Sequence, residues 1–438
     1  MPSCIENLRK THTNGVLLDV EKRIQVLNGI LNFLSVEEEK IIDCLSRDLG
    51  KPKQEAYSCE IASVKYEINH IINNLHSWTK DQTVKKTFIF ATDTCFINYQ
   101  PYGVVLVIGS WNYPINVPIS SCVGAICAGN TVLIKPSDLS PYTTEFLKKN
   151  LAKYVDNNII DVFTGGPEET EKLLEREKFD FIIFTGSKRV GKIIMHAAAE
   201  KLTPVCLELG GKCPAYVDKS ANLELTASRL VWGKFTNSGQ TCIAPDYVIC
   251  DESIKEALID VLKKKIVEFY GSEPINSKNY SRIINKKHMT YLGKMINETN
   301  GKIEIGGQVI LEEKYISPTI ISKVSEDDIT MQDEIFGPIL PILTTDSCEK
   351  AIQIVNRREK PLSIYVFSSH KKVMNKWLNS TSSGSLVHND CIIQAANPLL
   401  PFGGVGSSGM GAYKGKFSFE LFSHKRSVLD KSTIQYAE

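Results

Sequence analysis

One cysteine in this sequence lies where a nucleophile could be held firmly and still be reached. Cys242 belongs to the stretch TNSGQTCIAP (236–245), between a predicted amphipathic helix over 223–235 and a β-rich segment over 246–250. A thiol on a glycine-flanked turn between a helix and a strand has a fixed scaffold and an accessible sulfur, and covalent catalysis needs both. Most cysteines are buried and inert, so the assignment depends on the other residues that could act with it.

Two further stretches carry side chains that could assist such a nucleophile. Asn112, in GSWNYP (109–114), follows an apolar run, and its amide could donate hydrogen bonds to an oxygen that becomes negative. The alternative is an Asx turn before the proline. Glu208, in LELGGK (207–212), lies in an apolar run beside two glycines, where burial would raise its pKa toward that of a general base. The alternative for Glu208 is a structural ion pair.

Three stretches have the composition of a nucleotide-binding site. Lys135 and Asp138, at a predicted strand end, could both bind ribose hydroxyls, although a solvated loop would look the same. The stretch FTGSKRVG (184–191) runs from a strand into a helix, whose first N–H groups and dipole favour phosphate. DEIFGP (333–338) offers a carboxylate and an aromatic ring, as a plain turn also could. The formal GxGxxG match at 404–409 follows Pro-Phe rather than a strand, so we do not interpret it as a dinucleotide fingerprint.

Alternating strands and helices are predicted on both sides of residue 205 and would position these side chains. Apolar runs in the first series predict strands at 104–108, 131–134, 160–163 and 181–184, separated by helices at 115–127, 143–154, 168–176 and 188–199. This order is typical of a parallel, doubly wound α/β sheet, which binds ligands at the carboxyl ends of its strands. A second series predicts another α/β domain, with strands at 216–217, 247–249, 318–321 and 362–367.

The remaining segments flank these two series. Residues 19–79 have helical periodicity. Residues 86–100 are β-rich, and TFIF (87–90) and CFINY (95–99) are predicted to pair as a hairpin arm. A glycine-rich segment over 401–411 leads into a β-rich tail.

The composition favours a reducing compartment and excludes several classes of protein. A chain of 438 residues is long enough for about two or three domains. With 51 basic and 50 acidic residues and no run of one sign, nothing indicates binding to nucleic acid or to a membrane surface. Twelve cysteines without a CxxC pair, and few histidines, argue against a zinc site and for a reducing compartment. There is no signal-peptide pattern, no bilayer-spanning stretch, and neither a hydrophobic tail nor a prenylation box at 432–438, so we expect a cytoplasmic protein without a membrane anchor.

Taken together, these stretches resemble the aldehyde dehydrogenase superfamily along essentially the whole chain. The motifs that carry the resemblance are, in order, WNYP, KPS, FTGS, LELGGK, GQTC, EIFGP and PFGGVGSSGMG. The short N-terminus, CIAPDY (242–247), GMGAY (409–413) and FSFELFSH (417–424) are most similar to the class 3 branch, which acts on fatty and aromatic aldehydes.

The resemblance implies NAD(P)-dependent oxidation of an aldehyde to a carboxylic acid. Cys242 would attack the aldehyde, Asn112 and the Cys242 N–H would hold the oxyanion, and Glu208 would activate the water that hydrolyses the thioester. The implied cofactor contacts are Lys135 and Asp138 at the adenosine ribose, Thr185, Gly186, Ser187 and Gly191 around the pyrophosphate, and Glu334 and Phe336 near the nicotinamide ribose. Asp138 stands where the branch usually has Glu, and its carboxylate should repel a 2′-phosphate weakly, so NAD is expected to be preferred and NADP tolerated.

The resemblance also implies three structural parts and a homodimer. The NAD(P)-binding domain would comprise 1–80 and 101–206, the catalytic domain 207–397, and the bridging and oligomerisation element 81–100 and 398–438. Edge strands with apolar Phe88, Phe90 and Phe96 would need a partner chain to cover them.

Other functions remain open from the sequence. They are cysteine-dependent acyl transfer or ester hydrolysis without hydride transfer, a coenzyme-A-acylating dehydrogenase, and a binding protein that keeps only the fold. The nucleotide-type stretches argue against acyl transfer or ester hydrolysis. Glu208 argues against a coenzyme-A-acylating dehydrogenase, because such enzymes often lack this residue. Asn112, Cys242 and Glu208 occur together, which argues against the third. The expected substrate tunnel includes Tyr113, Trp232 and part of 390–393, and the apolar residues Ile392, Ile393 and Leu399 near its entrance indicate an apolar aldehyde.

Overall fold

Two mainly parallel β-sheets with helices on both faces make up most of the chain. The structure is a computed structural model and describes residues 2–431 and 433. The sequence expectation for 432–438 therefore lies outside the described residues, except at position 433. The strands are β1 (Gln82–Thr83), β2 (Thr94–Pro101), β3 (Val104–Ile108), β4 (Thr131–Lys135), β5 (Ile160–Val162), β6 (Phe181–Gly186), β7 (Val205–Leu209), β8 (Pro214–Val217), β9 (Tyr247–Asp251), β10 (Lys302–Ile305), β11 (Val309–Ile310), β12 (Tyr315–Ile316), β13 (Thr319–Ser322), β14 (Ile339–Thr345), β15 (Ser363–Phe367), β16 (Ser385–His388), β17 (Gly409–Met410) and β18 (Ser423–Asp430).

The helices connect these strands and cover both sheets. The α-helices are α1 (Pro2–Thr13), α2 (Val20–Val36), α3 (Glu38–Leu49), α4 (Lys53–Glu55), α5 (Ser63–Trp78), α6 (Asn116–Cys127), α7 (Pro141–Asn150), α8 (Pro167–Arg176), α9 (Lys188–Ala199), α10 (Leu223–Phe235), α11 (Lys255–Tyr270), α12 (Lys286–Glu298), α13 (Cys348–Asn356), α14 (Lys371–Ser380) and α15 (Gly415–Leu421). A π-helical segment, Ala56–Ala62, joins α4 to α5. Short 3₁₀ turns occupy Phe88–Phe90, Leu151–Lys153, Thr236–Gly239, Glu252–Ile254, Pro274–Asn276, Ile329–Met331, Ile393–Ala396 and Gly406–Ser408.

The first sheet has the strand order β17-β7-β6-β3-β4-β5, and only β17 runs antiparallel to its neighbour. Its central strands are apolar on both faces because helices cover both. Alternate residues of β3 show this: Val105 and Val107 pack in one core, and Val104 and Leu106 pack in another on the opposite face. The predicted doubly wound sheet is confirmed, and the carboxyl ends of β3, β4, β6 and β7 lie along one edge.

The second sheet has the order β10-β13-β14-β9-β8-β15-β16, with only β10 antiparallel. It is also covered on both faces: Val248 and Cys250 of β9 pack in one core, while Tyr247 and Ile249 pack in the other. The prediction of a second α/β unit is confirmed.

A small third sheet, β1-β2-β18, joins two distant parts of the chain. β18 pairs antiparallel with the whole of β2, from Ser423 opposite Pro101 to Asp430 opposite Thr94. The predicted pairing of 87–90 with 95–99 is wrong. Since β1 and β18 occupy both edges of β2, residues 87–90 have no strand to pair with, and their backbone closes a 3₁₀ turn through Phe90 N–H to Thr87 O (3.0 Å).

Among the described residues, no helix combines the length and the apolar character needed to cross a membrane.

Candidate active site

A left-handed turn carries Cys242 away from the end of α10. Asn237 (φ 53°), Ser238 (φ 51°) and Gly239 (φ 74°) all lie in the left-handed region, which is sparsely populated by residues other than glycine. Glycine is required at 239 because a Cβ there would lie 2.2 Å from the carbonyl oxygen of Gly337. The turn thus places the cysteine loop directly against the segment that contains Glu334 and Phe336.

Gln240 fixes this loop from within. Its Nε2 donates to the carbonyl oxygens of Asn237 (2.9 Å) and Arg282 (3.0 Å), and its Oε1 accepts the N–H of Ile284 at 2.9 Å. The Gln240 carbonyl oxygen accepts a hydrogen bond from Asn112 Nδ2 at 3.0 Å. The predicted oxyanion donor and the predicted nucleophile are therefore tied together across the two sheets, through a residue two positions before Cys242.

Asn112 is almost entirely buried, at 4% exposed, and its side chain is held at both ends. Its Oδ1 accepts a hydrogen bond from Ser110 Oγ at 2.7 Å, which fixes the amide orientation. The bond to Gln240 uses one of the two hydrogens on Nδ2, and the other is left to be donated to a bound oxygen. The Asx-turn alternative does not describe these contacts.

Glu208, on β7, is a buried carboxylate that is only partly satisfied. It is 3% exposed, its Oε1 lies 3.7 Å from Cys206 Sγ, and its Oε2 has no hydrogen-bond partner among the described residues. Burial raises the pKa of Glu208 well above its ordinary value. The ion pair considered as an alternative is absent within residues 2–431 and 433, and the pKa of Glu208 shifts in the direction expected for a general base.

Glu334 is held close to the strand that carries Glu208. A Cβ on Gly210 would lie 2.0 Å from Glu334 Oε2, so only glycine at 210 leaves room for this carboxylate. Burial, and then the nearby Asp246 carboxylate, raise the pKa of Glu334 to about 8. Lys212 Nζ contacts Asp246 (2.6 Å) and the carbonyl oxygen of Thr330 (2.6 Å), which anchors the segment before Glu334.

Phe336 is placed beside Trp111 by its unusual backbone. Its φ is 52°, its ring packs edge-on to Trp111 at 5.3 Å between centroids, and its carbonyl oxygen lies 2.8 Å from His288 Nε2. Because Trp111 immediately precedes Asn112, this contact links the 333–338 stretch to the oxyanion loop.

The predicted cofactor residues lie along the carboxyl edge of the first sheet. Lys135 ends β4 opposite Ile108 of β3, and its Nζ is 3.7 Å from Asp138 Oδ1. Burial lowers the pKa of Lys135, while Asp138 opposes that shift. Thr185, the next-to-last residue of β6, lies opposite Glu208 of β7.

The first turn of α9, predicted above to favour phosphate, directly follows β6. Gly186 ends β6, and Ser187 caps the helix with Oγ accepting a long bond (3.4 Å) from Val190 N–H. A Cβ on Gly191 would lie 2.8 Å from Leu209 Cδ2, so glycine there allows the helix to pack closely on β7.

Cys242 is affected by both carboxylates. It keeps some accessible surface, but the surrounding protein excludes most water. Desolvation, followed by the charges of Glu334 and Glu208, raises the pKa of the Cys242 thiol to about 12. The thiol is therefore protonated at neutral pH, and its attack on a carbonyl needs a proton acceptor.

Sequence reasoning missed the charged residues that hold these loops. They are Lys51 and Glu60, which contact the Asn112 turn, and Lys212 and Asp246, which anchor the Glu334 segment. The signal available in the sequence was a charged residue inside an otherwise apolar or glycine-bounded stretch, but its partner could not be read from spacing.

The comparisons with known proteins agree with this geometry. A family profile described as "Aldehyde dehydrogenase family" matches residues 4–428. "Aldehyde dehydrogenase, dimeric NADP-preferring" of Rattus norvegicus is 46% identical, over 98% of this chain and 94% of the relative. "Aldehyde dehydrogenase family 3 member B1" of Homo sapiens is 44% identical, over 98% and 91%. The structure of substrate-bound Staphylococcus aureus AldH superposes with a TM-score of 0.97 at 41% identity, covering 100% of this chain and 95% of that one. The chain belongs to the aldehyde dehydrogenase family.

Proposed function

We propose that this protein oxidises an aldehyde to the carboxylic acid with NAD(P)⁺ as hydride acceptor, through a covalent intermediate on Cys242. The observation that carries the proposal is the hydrogen bond from Asn112 to the loop that carries Cys242, whose thiol also feels the charge of the Glu208 carboxylate. These contacts support assigning a nucleophile, an oxyanion donor and a base to one site.

In the first stage Cys242 Sγ bonds to the aldehyde carbon while Glu208 accepts the thiol proton. The carbonyl electron pair moves to oxygen, where Asn112 Nδ2 and the Cys242 N–H donate hydrogen bonds. NAD(P)⁺, held by the residues named below, would supply the hydride acceptor, so that the carbonyl double bond could re-form as hydride leaves the carbon. This leaves a thioester on Cys242.

Between the stages Glu208 releases the thiol proton to solvent. In the second stage its carboxylate takes a proton from water, and the hydroxide formed attacks the thioester carbon. The C–S bond breaks, the departing Cys242 thiolate takes the proton from Glu208, and the carboxylic acid is released. Acyl transfer, ester hydrolysis as the main role and transfer to coenzyme A are not favoured, since they leave the nucleotide-type residues or the buried base without a task.

The residues at the sheet edge fit a dinucleotide. Lys135 and Asp138 together offer a cation and a carboxylate to ribose hydroxyls, and the Ser187-capped start of α9 offers N–H groups to the pyrophosphate. Glu334 would bind the nicotinamide ribose, and Phe336 would pack beside it. Thr185, Gly186 and Gly191 would shape the turn.

We expect NAD to be preferred and NADP to be accepted, because Asp138 is an exposed carboxylate beside the ribose position. Several relatives are named as NADP-preferring, and a Sinorhizobium meliloti relative of known structure is named as NAD-dependent. Asp138→Asn removes one like-charge repulsion, so the ratio of kcat/KM for NADP to that for NAD should rise about tenfold. Glu145→Gln, an exposed change on the same domain, should leave the ratio unaltered. An unchanged ratio in Asp138→Asn, or a clear NADP preference of the unaltered enzyme, would contradict this expectation.

We propose that the substrate is a medium- or long-chain aliphatic or an aromatic aldehyde. Ile392 and the half-exposed Ile393, near the expected entrance, support an apolar substrate. The test follows reduced nicotinamide by absorbance with a panel of aldehydes from short aliphatic to long and aromatic. Silence with every aldehyde and both cofactors would refute the proposed function.

We propose a cytoplasmic homodimer with the three-part division described above. Two free sheet edges support the dimer: β18, largely exposed along its length, and β16, half-buried at the end of the second sheet. Curated relatives are named "dimeric". The scattered cysteines support a reducing compartment. Sedimentation should give twice the mass of the 48.9-kDa chain, and the mass of a single chain at micromolar concentration would contradict the dimer.

A further inference from the structure

We propose that the buried ion pair between Lys51 and Glu60 positions Asn112 for oxyanion binding, an inference that rests on the proposed function. The two side chains are wholly inaccessible, at 0% exposure each, and Lys51 Nζ lies 2.5 Å from Glu60 Oε1. Neither residue touches the reacting atoms in the proposed reaction. Both act on the turn that presents Asn112.

Lys51 holds the front of this turn. Its Nζ donates to the carbonyl oxygen of Asn112 at 2.9 Å and lies 4.3 Å from the centroid of the Tyr113 ring. Asn237 Nδ2, from the cysteine loop, donates to the same carbonyl oxygen at 2.9 Å. The ammonium group and the cysteine loop therefore fix one backbone atom of Asn112 together.

Glu60 holds the back of the turn with its second oxygen. Oε2 accepts the N–H groups of Ile115 (3.1 Å) and Asn116 (2.9 Å), at the start of α6. Ile115, which precedes α6, provides no side-chain cap of its own. A carboxylate from a different helix thus satisfies N–H groups that would otherwise be unpaired, and it complements the helix dipole.

Lys51 and Glu60 thus hold the turn that carries Asn112 at its two ends. With its carbonyl oxygen and its following helix start both fixed, Asn112 can direct Nδ2 only toward the cysteine loop and the space in front of it. Glu60 lies in the π-helical segment, whose wide turn is frequently found at functional sites. A buried ion pair is often replaceable by apolar residues without loss of stability, so stability alone does not explain one here.

A double-mutant cycle tests this positioning role. Lys51→Met should lower kcat about 100-fold with little change in the dissociation constant of NAD, because a small displacement of Asn112 weakens oxyanion binding. Asn112→Ala should lower kcat about 100- to 1000-fold. If Lys51 acts through Asn112, adding Lys51→Met to Asn112→Ala should change kcat less than about twofold. Losses that multiply in the double variant would overturn the inference.

A second variant distinguishes misfolding from loss of positioning. It is needed because Lys51→Met leaves the Glu60 carboxylate buried without its partner. Lys51→Met/Glu60→Gln removes both charges while one carbonyl acceptor remains for the start of α6. It should melt close to the unaltered protein and still lose about 10- to 100-fold in kcat. Full kcat in this folded variant would overturn the proposal.

Glu304→Gln is the matched control. Glu304 lies on β10, its side chain is 7% exposed, and its carboxylate is held by Ser322, by Lys302 of β10 and by Lys263 of α11. The substitution should lower the melting midpoint and leave kcat unchanged. If the unaltered enzyme does not oxidise aldehydes, the proposed function itself is refuted. That result differs from losses in kcat that multiply in the double variant, which refute only the positioning role.

Discussion

Replacing Cys242 with alanine should lower aldehyde oxidation by about 10⁴-fold or more, because the proposed covalent intermediate forms on the Cys242 sulfur. Cofactor binding should be retained, since the proposed nucleotide contacts lie on other segments. The measurement is the rate of reduced-nicotinamide formation with the best aldehyde of the panel, together with cofactor affinity from fluorescence. Since the thiol has a pKa of about 12 in the free protein, alkylation of Cys242 by iodoacetamide should be slow at pH 7 and accelerate as the pH rises.

Cys250→Ala provides the matched comparison. Cys250 is buried in the core on β9, eight positions along the chain, and has no proposed role in the chemistry. Its replacement should reduce stability slightly and keep turnover. Substantial turnover in Cys242→Ala would refute covalent catalysis at this residue.

Replacing Glu208 with glutamine should separate the two stages of the reaction. Gln cannot accept a proton from water, so hydrolysis of the thioester should fall about 10²- to 10⁴-fold. If thioester formation stays faster than thioester hydrolysis, mixing enzyme, NAD and aldehyde should give a burst of reduced nicotinamide. The burst should reach up to one molecule per active site and be followed by a slow steady state. Steady-state kcat close to that of the unaltered enzyme would exclude Glu208 as the base.

The pH dependence provides an independent check on Glu208. A general base works when deprotonated, so kcat should rise with pH through a pKa above the ordinary carboxyl range, and this limb should disappear in Glu208→Gln. The contact with Cys206 favours the charged form of Glu208. Cys206→Ala should therefore move the limb to higher pH while the base is retained. A shift in the opposite direction would mean that the limb belongs to another group.

Local patterns predicted the elements well where the sequence alone determines them. α10 and α9 begin and end as predicted, because Asn222 and Ser187 cap their starts and apolar periodicity continues to their ends. β3 is recognisable because it is apolar on both faces. The same reasoning gave a wrong prediction for TFIF (87–90). Its apolar residues suit a strand, but β1 and β18 occupy both edges of β2.

Residue type and motif led to Cys242, Glu208 and Asn112 as candidates for the site, but they do not give its arrangement. The bond from Asn112 to Gln240, for example, joins positions 128 residues apart. Lys51 and Glu60 carry no motif of their own. Their importance lies in contacts with a turn more than fifty residues further along the chain, which only the folded structure brings to them.

The pairing of β2 with β18 also sets the order in which the molecule can be completed during synthesis. Pro101 leaves the ribosome long before its partner Ser423, and at roughly 5–20 residues per second the intervening chain takes roughly 15–65 s to make. During that interval β2 has only the two-residue strand β1 along one edge, and its other edge is open to other nascent chains. A chain that ends before β18 is made therefore leaves this sheet unfinished and one edge of β2 uncovered.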